Sequence, residues 1–315
     1  MSAFAKFAWS TLVYNVVVIL WGVFLRASHS GDGCGQHWLT CQGEVVPSAP
    51  ELKTVIEFSH RITTAIAGLV VLALVVWAFR KFGFRNRTTL SSLAALFFII
   101  VEALIGRGLV LTGNTADNWT PSRPFWTAGH LINTFLLLAC LALTAWFAGS
   151  ERKLSFRLPT KVWILLAIGV AAILFVGVSG SMAALTNMLF PSGTLAEGLA
   201  RDFDPNSHYL LRLRIGHPIL SILTGVYLFF LAGWLRNWSS RDAEVSKWSK
   251  RLSILVLAQL AFGAVTLLML APIVMQLGHL LLADLVWISL VLLAVSYMSR
   301  SAQSEPLSVS ESNSV

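Results

Sequence analysis

Four of the chain's seven histidines, His60, His130, His217 and His279, stand at the beginnings of long apolar runs. An ionisable ring at such a position is expensive unless something holds it. Neutral imidazole is the commonest metal ligand, and two imidazoles on facing helices can grip the iron of a porphyrin from both sides. The flat macrocycle would lie between helices against Leu, Val and Phe side chains. Its carboxylates would emerge outward, where Arg61, Arg212 and Arg214 offer forked donors. Glu57 precedes His60 by three residues, so both share one helix face. The corresponding place before His217 is taken by Arg214. A carboxylate therefore accompanies one histidine pair only, where it can shuttle protons or stabilise developing positive charge.

The remaining candidates are weaker. His29, His37 and His208 lie in polar loops and read as solvated side chains. Cys34 and Cys41 share the loop GDGCGQHWLTCQGEVVPSAP in a C-x6-C spacing. On an oxidising face they can form a disulfide, either a staple or a redox relay near Glu57 and His60. Zinc would need ligands beyond His37. Cys140 reads as packing, whereas Glu102 and Asp284 are acids inside apolar runs that burial makes conspicuous.

The elements that must position these groups are transmembrane. The chain is 56% hydrophobic and only 12% charged, with mean hydropathy +0.72, which excludes an ordinary soluble domain. Eight runs are long enough to cross a bilayer, near 8–26, 60–79, 90–111, 126–148, 162–185, 215–235, 252–271 and 277–298. The first has only Lys6 before it and no small-x-small cleavage site after it, so it reads as a span and not as a signal peptide. The formal charge of +8 does not point to nucleic acid, because basic residues cluster in the connections 80–87, 152–161 and 236–251. With Lys6 and Arg300 these fall on one side, which the positive-inside rule makes cytoplasmic. Both termini are then cytoplasmic, and the long loops after the first and third spans face outward. All four histidines begin even-numbered spans at the outer end, within about one turn of the surface.

The spans repeat. FSHRITTAIAG around His60 aligns without gaps on RIGHPILSILTG around His217, and TAGHL at His130 matches QLGHL at His279. Glu102 aligns with Gln259. The expected fold is all-α and polytopic: two tandem four-helix bundles, 1–155 and 156–300, related by a pseudo-twofold axis along the membrane normal. A tail, 301–315, lacks the apolar content to fold.

From about Trp9 to Tyr297 the chain resembles the heme A synthase family, in the bacterial branch with a cysteine pair in the first outer loop. The resemblance rests on R-x-S-x-S-G beginning at Arg26, the Cys34/Cys41 loop, E-x-x-H-R at Glu57, G-H-L at His130 and His279, and G-H-P at His217. The family's Ser-Cys-x-x-Trp run is reproduced only in part, since Cys34 is followed by Gly35, Gln36, His37 and Trp38.

The resemblance implies oxidation of the ring methyl of heme O to the formyl group of heme A, for terminal oxidase assembly in the bacterial cytoplasmic membrane. It implies that His60 and His130 face the substrate heme with Glu57 required, and that His217 and His279 ligate a resident heme b. Heme O synthase, oxidase assembly factors, an unidentified electron donor and membrane lipid are the implied partners, and homo-oligomerisation is left open. The alternative is a diheme b-type electron carrier, which usually places hemes near both membrane faces. A repeat-built transporter would need broken helices at mid-membrane.

Overall fold

The computed structural model describes residues 1–150, 152–239 and 242–303, with side chains to Ser299. Among them are ten helices: α1 (Ala3–Ala27), α2 (Leu52–Phe82), α3 (Arg87–Leu111), α4 (Arg123–Gly149), α5 (Thr160–Leu189), α6 (Leu195–Phe203), α7 (Tyr209–Arg214), α8 (Gly216–Trp238), α9 (Ala243–Leu268) and α10 (Ile273–Gln303). Eight spans are long and apolar enough to cross a membrane, with α7 and α8 together forming the sixth. The protein is an all-α polytopic membrane protein.

Local chemistry sets the ends. Ser2 and Asn86 accept hydrogen bonds from Ala5 N and Thr88 N at the starts of α1 and α3, and Asp242 accepts from Glu244 N and Val245 N at the start of α9. These satisfy main-chain donors that a first turn leaves unpaired. Helix α2 stops at Gly83, whose φ of 79° is open to glycine at little steric expense.

Several helices begin before the apolar runs do. The even-numbered spans start at Leu52, Arg123, Tyr209 and Ile273, against the expected 60, 126, 215 and 277. The extra turns carry polar residues such as Lys53, Thr54 and Arg212, which hydropathy excludes but a helix end in headgroups or water accepts. Helix α10 runs through Gln303, so the first residues of the expected tail are helical, and 304–315 lie outside the described residues.

Packing joins α1 to α2, α2 to α3, α3 to α4 and α4 back to α1. The same circuit runs through α5, α8, α9 and α10. Contacts of α4 with α5 and α10, and of α1 with α10, join the two sets. Helices α4 and α10 are the most buried spans, at 56% and 61% of their central windows against 33% or less elsewhere, which puts them at the middle. There Trp287 donates to the Phe135 carbonyl at 2.6 Å and stacks on the Phe135 ring at 5.5 Å. The outer helices expose Val13, Phe97, Phe175 and Phe230, as a lipid-facing surface requires.

Candidate functional site

Each of the four histidines is held about two turns inside its span. His60, His130, His217 and His279 follow the helix starts Leu52, Arg123, Tyr209 and Ile273 by eight, seven, eight and six residues, or roughly 9–12 Å along the axis. This is one turn deeper than the apolar runs suggested, and nearly equal in all four.

Three of the rings lie on a glycine of the neighbouring helix. A Cβ at Gly22 in α1 would come within 2.9 Å of His60, one at Gly180 in α5 within 2.8 Å of His217, and one at Gly263 in α9 within 2.9 Å of His279. Nothing lies within 4 Å of the corresponding point at Gly106 in α3. Sequence reading finds Gly263 only as part of a repeat-matched pair with Gly106 and assigns none of the three glycines a role, although each sits inside an apolar helix where glycine costs about 1 kcal/mol relative to alanine. That local expense is the signal that a ring needs the space.

The polar atoms of the rings are largely unsatisfied. His60 Nδ1, His130 Nδ1 and His279 Nδ1 are buried without a hydrogen-bond partner, a state that buried nitrogen rarely tolerates unless a further group completes it. His217 Nδ1 pairs with Ser179 Oγ at 3.1 Å. This leaves the opposite ring nitrogen of His217 for another bond and steers the imidazole as a supporting partner steers a metal-bound one. The His217 and His279 rings meet edge-on, with centroids 6.2 Å apart and planes at 89°. A metal–imidazole bond is about 2 Å, so one ion between two rings needs centres roughly 6 Å apart. The C-terminal pair therefore has the ring spacing that a bis-imidazole metal site needs.

The N-terminal pair keeps different company. Glu57 is 3% exposed; its Oε2 accepts from Cys34 N at 2.8 Å and its Oε1 from Arg61 Nη2 at 2.5 Å. Arg61 Nη1 donates to the carbonyls of His37, Trp38 and Thr40 at 2.6, 3.1 and 3.0 Å. Cys34 and Cys41 are bridged, so one outer loop is tied on itself, to Arg61 and to Glu57. Across the bundle Glu102 accepts from Asn133 and Thr134, both at 2.5 Å, and lies 3.6 Å from His130 Nδ1. Its counterpart Gln259 lies 3.4 Å from His279 Nε2. Asp284 is fully buried with neither carboxylate oxygen bonded.

The arginines expected at a porphyrin edge are unequally placed. Arg61 is committed to Glu57 and the loop. Arg214 holds Asp202 at 2.7 Å, Asn187 at 2.7 Å and the Gly198 carbonyl at 3.2 Å. Arg212 is exposed. Two of the loop histidines have structural work: His29 Nδ1 pairs with Asp117 at 2.5 Å, and His208 accepts from Leu210 N at 3.3 Å while its ring touches Trp119 at 4.9 Å. His37 is exposed. An apolar groove of about 460 Å³ opens beside this half, lined by Tyr14, Trp21, Phe24, Ser59, Thr63 and Leu277 among others.

Residues 5–291 match the COX15-CtaA family, described as cytochrome oxidase assembly protein. The chain belongs to that family. Curated relatives include a protein named heme A synthase from Alkalihalophilus pseudofirmus, 28% identical over 300 residues and covering 92% of this chain and 94% of that one. A second heme A synthase, from Halalkalibacterium halodurans, is 38% identical over 105 residues, 33% of this chain and 35% of that one. A protein from Thermus thermophilus named protoheme IX farnesyltransferase is 43% identical over 302 residues, which is 96% of this chain but 50% of that protein. The chain thus spans about half the length of the Thermus relatives it matches.

Proposed function

We propose that the protein is a heme A synthase, oxidising the ring methyl of heme O to a formyl group. The N-terminal half takes the substrate between His60 and His130; the C-terminal half holds heme b between His217 and His279. The observation that carries the reading is the set of buried ring nitrogens without a hydrogen bond, at His60, His130 and His279, in a chain whose full-length relative bears the heme A synthase name.

Bound heme b supplies one-electron chemistry at the iron. The protein's own contribution is positioning and proton handling. Glu57 is buried on the His60 face of α2 and held from two directions, so its carboxylate has a defined place beside the substrate edge. Methyl oxidation passes through an alcohol to a gem-diol, which loses water to give the aldehyde; each hydroxylation draws on dioxygen, two electrons from the external donor and two protons, with one water formed, and Glu57 is placed to relay protons at that edge. The apolar groove beside α1 and α2 offers a berth for the substrate's alkyl chain.

The Thermus relative's name, attached to a chain twice as long, supports close coupling to a farnesyltransferase acting on protoheme IX. A heme O synthase is then the natural donor of substrate. Oxidase assembly factors receive product, and a separate electron donor serves the site. Basic residues on the inner connections support cytoplasmic termini in a bacterial cell membrane.

The test is conversion of heme O to heme A by purified protein supplied with reductant, read by chromatography of extracted pigments. Formation of heme A is expected. Permanently bound heme b with no turnover would replace this reading with a diheme electron carrier.

A further inference from the structure

Charge is unevenly matched at the outer end of the N-terminal half. Glu57 on α2 pairs with Arg61 at 2.5 Å, and in the outer loops Asp117 pairs with His29 at 2.5 Å and Asp32 with Lys53 at 3.9 Å. Arg26 is different. Its guanidinium makes no hydrogen bond or ion pair among the described residues, and it stands in the last turn of α1, which packs against the helix α4 that begins with Arg123. Arg123 donates to the carbonyls of Asn118 and Ala116 and is attracted by Asp117, which is itself bonded to His29. Two guanidiniums at the outer ends of packed helices, one of them unpaired, form a site in want of an anion.

Their places on the helices show which anion. Gly22 carries the His60 ring, and Arg26 lies four residues further on, on the same face of α1 and one turn outward. Arg123 precedes His130 by seven residues, again the same face, two turns outward. Helices α1 and α4 pack against each other. Both arginines thus stand outward of an imidazole on the helix that bears or backs it. The C-terminal half has no such pair: four residues beyond Gly180 is Ala184, and seven before His279 is Pro272.

We propose that Arg26, seconded by Arg123, is the carboxylate-binding group of the N-terminal site, receiving the propionates of the substrate macrocycle in place of the committed Arg61. The inference rests on the heme reading of that half. A forked guanidinium suits a carboxylate and contributes most where water is scarce.

The test is an absorbance titration of the full-length purified protein with iron protoporphyrin IX and, separately, with its dimethyl ester, counting only binding that His60→Ala abolishes. Wild type should prefer the free acid by roughly ten- to a hundredfold, the range of a charge-assisted hydrogen bond. R26Q should lose most of that preference while its ester affinity changes little, and R26K should keep part of it. Equal affinity of wild type for both probes, or an undiminished preference in R26Q, overturns the assignment while leaving the heme reading intact. If R26Q does not fold, an undiminished preference in R26K overturns it instead. Absence of any His60-dependent binding removes both.

Discussion

The two halves hold their histidines alike and surround them differently. In each, a ring on the second helix lies on a glycine of the first, Gly22 under His60 and Gly180 under His217. In each, an arginine near that ring latches an outer segment, Arg61 to the loop carbonyls and Arg214 to Asp202 in α6. The acid that completes the latch differs. In the C-terminal half it belongs to the loop; in the N-terminal half it is Glu57, on the histidine helix itself and 3% exposed. The second histidine repeats the contrast, with Glu102 near His130 and neutral Gln259 near His279. A half with two carboxylates by its imidazoles suits proton-coupled chemistry. A half with no carboxylate at the two matching positions, and with rings 6.2 Å apart, suits permanent ligation.

The contrast breaks most sharply at Glu57. Glu57→Gln keeps the shape and can keep the bond from Cys34 N, but it gives up the Arg61 pair and removes the ionisable group, so product formation should fall by about a hundredfold or more with heme content unchanged. Activity near wild type would mean that the buried acid serves only the loop. The next effect belongs to the other half: His217→Ala should cost the protein its C-terminal heme, halving the iron-porphyrin content of fully loaded protein measured by pigment extraction. Full retention would show that the 6.2 Å pair is not the ligand pair.

Much of this was legible in the sequence, for identifiable reasons. Eight apolar runs announce spans because a bilayer leaves the backbone few alternatives. The histidines stood out because ionisable groups are rare there, and the Glu57–His60 spacing followed from helical periodicity. Partnerships across large separations were not legible. Arg214 looked available until Asp202, twelve residues away, was found on it, and α6 was missed because its nine residues carry no apolar run. Thr194 and Glu197 do signal it: Thr194 caps the first turn by accepting from Glu197 N at 3.1 Å, and Glu197 reaches back past the cap to accept from Gly193 N at 2.9 Å. Helix starts were misplaced for the same reason that they matter, since the polar turns before the histidines carry Glu57 and the arginines.

The smallest effect tests whether the shared glycine contact is structural filling or ring control. Alanine inside a helix is normally worth about 1 kcal/mol over glycine, so Gly22→Ala and Gly180→Ala would ordinarily stabilise. Here the added methyl would meet His60 at 2.9 Å or His217 at 2.8 Å, and what it meets is the end of a side chain able to swing by a few tenths of an ångström. The expected result is a folded protein with thermal stability near wild type and heme affinity reduced several-fold in the substituted half alone. Gly22→Ala should therefore raise KM for heme O while leaving the resident heme spectrum unchanged, and Gly180→Ala should do the reverse. Spectral change in the C-terminal half on Gly22→Ala would mean that the halves are mechanically coupled through α1, α4 and α10. Such coupling would weaken the view that each bundle tunes its own histidines.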